Sequence, residues 1–170
     1  FQIAHGVCEH IGRYDDFARF LASNGFVVCG NDHLGHGKSV NSLAELGYTT
    51  EENGDVRMVD DMHILTRIMK KRYPELPYFL FGHSMGSFAA RIYAADFGEE
   101  LAGAIFCGTG QIPSVVSLLK DAVEKVTNTI GGEKSSMGTM QMLGKLWSLP
   151  YKNDNDPLAW LSVDLENREK

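Results

Sequence analysis

Pro77-Tyr78-Phe79-Leu80-Phe81-Gly82-His83-Ser84-Met85-Gly86 decides the fold. Residues 77–81 are a short apolar run that suits a buried strand, and Gly82 to Gly86 form the turn after it. From about Met85 to Phe97 the apolar spacing is helical, with Gly98 beyond the last turn. Gly-x-Ser-x-Gly alone arises often by chance. Between a buried strand and a helix it is specific, because a serine there sits on a strained turn at a strand's C-terminal end with its hydroxyl exposed. Side chains at the flanking positions would collide with the neighbouring strand and helix, which is why both are glycine. Ser84 is therefore the expected nucleophile. The helix N-terminus behind it favours negative charge developing at the turn.

Working outward, Phe1 to Ala4 is a short apolar run ending at His5-Gly6. Residues 13–24 have helical spacing, with Tyr14, Phe17, Ala18 and Leu21 on one side, and Gly25 is placed for a left-handed C-cap. Phe26-Val27-Val28-Cys29-Gly30 is continuous, apolar and β-branched, which predicts a strand buried on both faces. A Gly-rich polar turn spans Asn31 to Ser39. The spacing predicts a long helix from about Asp55 to Arg72, its stripe made by Met58, Met62, Leu65 and Met69 and widened by Val59 and Ile68. Acidic residues lie near its start and Lys70-Lys71-Arg72 close it, matching the helix dipole, and Pro74 stops it. Leu101 to Cys107 is the fourth strand. Strand and helix alternate throughout, so the fold class is α/β, a mostly parallel sheet with helices on both faces.

After Gly110 the alternation ends. Val115, Leu118, Leu119, Ala122 and Val126 form one helical stripe, broken at Gly131-Gly132, and a second segment at about 137–147 is rich in Met, Leu and Trp147. Residues 1–110 read as the core and 111–170 as a helical insertion laid over the sheet.

Bulk properties narrow the classes. A chain of 170 residues with 44% hydrophobic content can bury a core. Its net charge is -6 and no basic cluster exceeds 70–72, which argues against nucleic acid as a partner. No apolar run is long enough to cross a bilayer, and the first residues lack the basic region of a signal peptide. Cys8, Cys29 and Cys107 lie among apolar residues without Cys-x-x-Cys spacing. They read as small buried hydrophobes in a reducing, cytoplasmic setting. The chain begins in mid-strand, so it is expected to be a piece of something longer.

A serine nucleophile of this kind needs two N–H donors for the oxyanion, one from the residue after it and one from a loop after an earlier strand. Met85 supplies the first and Val7, in His5-Gly6-Val7, the second. Losing one such donor costs roughly a hundredfold to a thousandfold in rate. Asp32-His33-Leu34-Gly35-His36-Gly37-Lys38-Ser39 implies a tight loop fixed by Asp32 and Ser39. Its two histidines have ligand-like spacing, but no Cys or carboxylate set joins them, so structural use outweighs a metal site.

Three motifs, His5-Gly6-Val7-Cys8-Glu9-His10-Ile11-Gly12-Arg13-Tyr14, Asp32 to Ser39 and Gly82 to Gly86, occur in order and at suitable spacing. Together they resemble the monoacylglycerol lipase and lysophospholipase branch of the α/β-hydrolases. The resemblance implies a serine esterase for monoacylglycerols, lysophospholipids or other small acyl esters, using no cofactor or metal. It implies Ser84 as nucleophile, Val7 and Met85 at the oxyanion positions, and a lid after Gly110. The triad of such enzymes runs Ser, Asp, His, with the later members beyond the lid. This chain ends at Lys170, so both are expected to be absent from it. None of the six histidines fits the base by position, and Asp154, Asp156 and Asp164 belong to the lid. Without a base Ser84 is a weak nucleophile, at a cost on the order of a million in turnover in a well-studied protease. A four-strand sheet would also leave two apolar edges open to pairing. A transacylase differs only in the acceptor, a peptidase fits less well, and a non-catalytic fragment or binding module is the contrasting class.

Overall fold

The computed structural model describes residues 1–47 and 54–110, and the insertion expected over 111–170 lies outside the described residues. The elements are β1 (Gln2–Ala4), α1 (Asp15–Ser23), β2 (Cys29–Gly30), α2 (Gly54–Arg72), β3 (Phe79–His83), α3 (Met85–Phe97) and β4 (Gly103–Cys107). Strand and helix alternate as the sequence predicts. All neighbouring strands are parallel, in the order β2-β1-β3-β4. Ala4 pairs in register with Gly82, and Gly82 with Phe106. The C-terminal ends of the three strands are thereby brought level.

Helices cover both faces. On one, Ala4 and Leu80 pack against Met58, Val59 and Met62 of α2 and Ala89, Ala90 and Tyr93 of α3. Full burial of a Leu or Met side chain contributes about 1.5–3 kcal/mol, so this layer holds the sheet against its two helices. On the other face, Phe17 of α1 meets Phe81 of β3 with ring centroids 5.7 Å apart, and Phe1 stacks on Phe81 at 6.3 Å.

One polar side chain is built into the apolar layer. Gln2 is fully buried, donates through Nε2 to Met62 O at 3.0 Å and accepts from the Thr66 hydroxyl at 2.8 Å and the Tyr78 hydroxyl at 2.5 Å. The Tyr93 hydroxyl donates to Thr66 Oγ1 at 3.0 Å. The network joins β1, α2, α3 and the residue before β3, and it leaves Gln2's polar ends satisfied, without which burial would be costly.

Several expectations need correction. The run 26–30 is not a strand buried on both faces: only Cys29–Gly30 pairs, at the outer edge of the described sheet, and Phe26 is 42% exposed. In α2 the buried residues are Met58, Val59, Met62 and Thr66, while Ile68 is exposed. The helical period puts Thr66, not Ile68, one turn beyond Met62 on the inner face. Cys8 and Cys107 are exposed and Cys29 is half-buried, so the thiols are not uniformly core residues. Cys8 sits in a turn and Cys107 at the end of the outer strand β4, where one side has no described neighbour. Strand β3 runs two residues further than expected and carries the chain straight into Ser84.

Candidate active site

The chain reverses sharply at Ser84. It follows the last residue of β3 and precedes the first of α3, and its backbone has φ 49° and ψ −118°. A positive φ at a non-glycine residue costs of order 1–3 kcal/mol and persists only where the surroundings impose it. Here they do. A Cβ on Gly82 would collide with Gly86 O and lie 2.8 Å from the Ala90 methyl, and a Cβ on Gly86 would collide with Ala4 O and lie 2.5 Å from His5 O. The two glycines let strand, turn and helix approach one another closely. The Ser84 N–H donates to Cys107 O at 2.9 Å, tying the turn to β4, and Ser84 O accepts from the Ser87 N–H at 2.9 Å and the Ser87 hydroxyl at 2.6 Å.

The loop after β1 lies against this turn. A Cβ on Gly6 would fall 3.2 Å from Ser84 Cβ and 3.1 Å from His83 Nδ1. Val7 follows Gly6 and is half-buried. Neither the Val7 nor the Met85 N–H has an acceptor among the described residues. Cys8 turns the chain back with φ 59°, which carries Glu9 beneath Gly6. Glu9 Oε1 accepts the Gly6 N–H, the Tyr14 hydroxyl at 2.7 Å and the His83 Nδ1–H at 3.2 Å. Its other oxygen lies 3.8 Å from the Arg13 guanidinium. Burial pushes the Glu9 carboxyl up, but the bonds from Tyr14, Gly6 and His83 outweigh it and hold the pKa below the usual value. In the sequence Glu9 stands out only as part of a motif. A carboxylate three residues after the loop glycine was the available signal.

The loop after β2 completes the floor. Asp32 Oδ1 accepts the Ile11 N–H at 2.8 Å and Oδ2 the Lys38 N–H at 2.7 Å, while the Ser39 hydroxyl donates to Asp32 O at 2.7 Å. Burial raises the Asp32 pKa, and these N–H bonds overcome it and lower it. Gly37 has φ 51°, and a Cβ there would lie 2.6 Å from Asp32 Oδ1. His33 and His36 are buried with His5. The His5 and His33 rings are 4.2 Å apart and those of His5 and His36 5.3 Å. His5 Nδ1–H donates to Gly6 O at 2.7 Å and its Nε2 accepts the His33 N–H at 3.0 Å, which fixes a neutral ring. Both His33 ring nitrogens are buried with no hydrogen-bond partner among the described residues, and burial, then the His5 and His36 rings, push its pKa down to about 3. Among the described residues no group of three His, Cys, Asp or Glu side chains could hold a metal ion.

No described histidine hydrogen-bonds Ser84. His83 uses Nδ1 on Glu9, His5 is bonded at both nitrogens, and His63 lies on α2 against Glu100 at 2.9 Å and stacked on Phe97. Asp154, Asp156 and Asp164 lie outside the described residues.

A parallel sheet delivering a strained serine to a helix N-terminus, beside a loop from the neighbouring strand, defines an α/β-hydrolase. The family model described as serine aminopeptidase, S33 matches residues 1–169. A monoglyceride lipase homolog of monkeypox virus is 38% identical over 99% of this chain and 56% of its own length. Human monoglyceride lipase is 33% identical over 75% of this chain and 41% of its own. A thermostable carboxyl esterase from Bacillus coagulans, solved in complex with glycerol, superposes with a TM-score of 0.84 at 35% identity, over 98% of this chain and 53% of that one. The chain belongs to the serine aminopeptidase S33 family, within the monoacylglycerol lipase branch of the α/β-hydrolases. It spans about half the length of the curated relatives it matches.

Proposed function

We propose that Ser84 attacks the acyl carbonyl of a carboxylic ester and forms an acyl-enzyme that water hydrolyses. The observation that carries this reading is the backbone of Ser84, held at φ 49° between β3 and α3 with the Gly6-Val7 loop against it. In the attack the Ser84 Oγ–C bond forms, the hydroxyl proton passes to a base, and the carbonyl oxygen becomes an oxyanion. The Val7 and Met85 N–H groups, both without described acceptors, receive that charge, and the α3 dipole adds to them. Collapse expels the alcohol, which takes up the proton, and water repeats the sequence on the acyl group. No described residue hydrogen-bonds the Ser84 hydroxyl, and the reading takes the base from a triad Asp and His outside the described residues.

Monoacylglycerols lead the candidate substrates, because the similar proteins carry the names monoglyceride lipase and carboxyl esterase. Lysophospholipids and other small acyl esters share the same reacting group. The family description favours a peptidase as the second reading. A transacylase would use the same acyl-enzyme with an alcohol in place of water, and a binding module would hold its ligand without turnover.

The test compares hydrolysis of a monoacylglycerol, a p-nitrophenyl ester and an aminoacyl amide by the full chain and by Ser84→Ala. Exogenous imidazole is added in a parallel series to supply a base. Ester cleavage that depends on Ser84 supports the reading. Preferential amide cleavage would move it to the peptidase. No Ser84-dependent cleavage by folded protein, with or without imidazole, would leave the binding module.

A further inference from the structure

We propose that Glu9 is a positioning residue that couples the oxyanion loop to the nucleophile turn, one carboxylate oxygen holding both sides in register. The inference rests on the reading of Ser84 as nucleophile. Glu9 Oε1 accepts the N–H of Gly6, which immediately precedes the donor Val7, and the Nδ1–H of His83, which immediately precedes Ser84. The third donor is the Tyr14 hydroxyl at 2.7 Å. One atom therefore reaches the neighbours of both reacting partners, across 74 residues of sequence. The Glu9 side chain is only 12% exposed, so water competes weakly for these bonds and a charged acceptor makes them strong. The glycine explains why the loop can come so close: a Cβ on Gly6 would lie 2.7 Å from Glu9 Oε1 and 3.2 Å from Ser84 Cβ.

The consequence is geometric. A backbone N–H stabilises an oxyanion only when it points at the position the oxygen takes in the transition state. A misplacement of about 1 Å costs about a hundredfold in rate. Freed from Glu9, the Gly6-Val7 peptide and the His83 ring each lose their shared reference, while Ser84 keeps its own bonds to Cys107 and Ser87.

The experiment measures covalent capture of Ser84 by a fluorophosphonate, with imidazole present, in the full chain, Glu9→Gln and Glu9→Ala, together with amide NMR spectra of all three. Gln keeps an acceptor for one or two of the three donors and Ala keeps none. The expected result is an inactivation step slowed about tenfold in Glu9→Gln and about a hundredfold in Glu9→Ala, with KI within about twofold. The Met85 amide, which Glu9 does not touch, shifts in both variants. A residue that served stability alone would lower the melting temperature and leave the inactivation step of the folded fraction unchanged, and that result overturns the proposal. If the parent chain takes no label even with imidazole, the reading of Ser84 fails and the spectra alone decide the coupling. A Met85 amide that moves in Glu9→Gln then upholds it, and one that stays in place overturns it.

Discussion

Gly86 leaves no room for a side chain against Ala4. A Cβ at position 86 would collide with the Ala4 carbonyl oxygen and lie 2.6 Å from its carbonyl carbon. The first turn of α3 thus rests directly on the end of β1, and this contact sets the distance between the turn at Ser84 and the loop that starts at His5. Gly86→Ala is expected to destabilise the chain by about 1–3 kcal/mol, the range for overpacking a tight core, because the opposing atoms are backbone and cannot rotate away. Urea unfolding of the variant against the parent measures it. A change below about 0.5 kcal/mol would mean the approach is looser than described.

Ser84 stores strain that glycine would release. Its φ of 49° is ordinary for glycine and uncommon for any other residue. Ser84→Gly is expected to be more stable than Ser84→Ala by about 1 kcal/mol, net of the extra chain entropy that glycine carries when unfolded. Paired unfolding curves of the two variants test this. Equal stabilities would mean that the turn is not held against its own backbone preference.

Val7 acts through its backbone in this account. Val7→Ala is expected to keep Ser84-dependent ester cleavage within a few-fold, and Val7→Pro, which has no N–H, to lose roughly a hundredfold to a thousandfold. Comparing turnover for the two variants against their folded fractions separates donor loss from unfolding. Equal turnover in both would remove Val7 from the site.

The alternation of elements and the sharp turn at Ser84 were legible in the sequence because each rests on local rules. The Met58, Val59 and Met62 face of α2, the left-handed Gly25 (φ 89°) and the Gly82 and Gly86 pair all follow from spacing and sterics. What stayed hidden depends on contacts remote in sequence. Gln2 sits in an apolar run, and only the arrival of Thr66 and Tyr78 from 64 and 76 residues away makes it a buried hub. Glu9 resembles a surface carboxylate until His83 reaches it. The run 26–30 carries a buried strand's composition, but the described sheet places its paired residues at an edge, and composition does not report strand order.

His33 is expected to make the fold acid-sensitive. Its pKa falls from an ordinary 6.5 to about 3, first through burial and then through the His5 and His36 rings, against the opposing pull of Asp32. The folded state therefore holds the ring neutral where the unfolded chain would bind a proton. This contribution is full above about pH 6.5 and is lost steadily as pH falls from there toward 3. Between pH 6.5 and 5 the loss is roughly 1–2 kcal/mol. His33→Leu fills the site with an apolar side chain, removes two nitrogens that have no partner among the described residues and is expected to flatten that part of the curve. Urea unfolding at pH 7.5, 6 and 5 measures the slope, and an unchanged slope in the variant would assign the acid sensitivity elsewhere.

The most direct test of the central claim is mass-spectrometric mapping of a fluorophosphonate adduct on the full chain, with and without imidazole, beside Ser84→Ala. A single adduct on Ser84 is expected, accelerated by imidazole and absent from the variant. A folded chain that takes no adduct at Ser84 under either condition, or takes it elsewhere, would contradict Ser84 as the nucleophile.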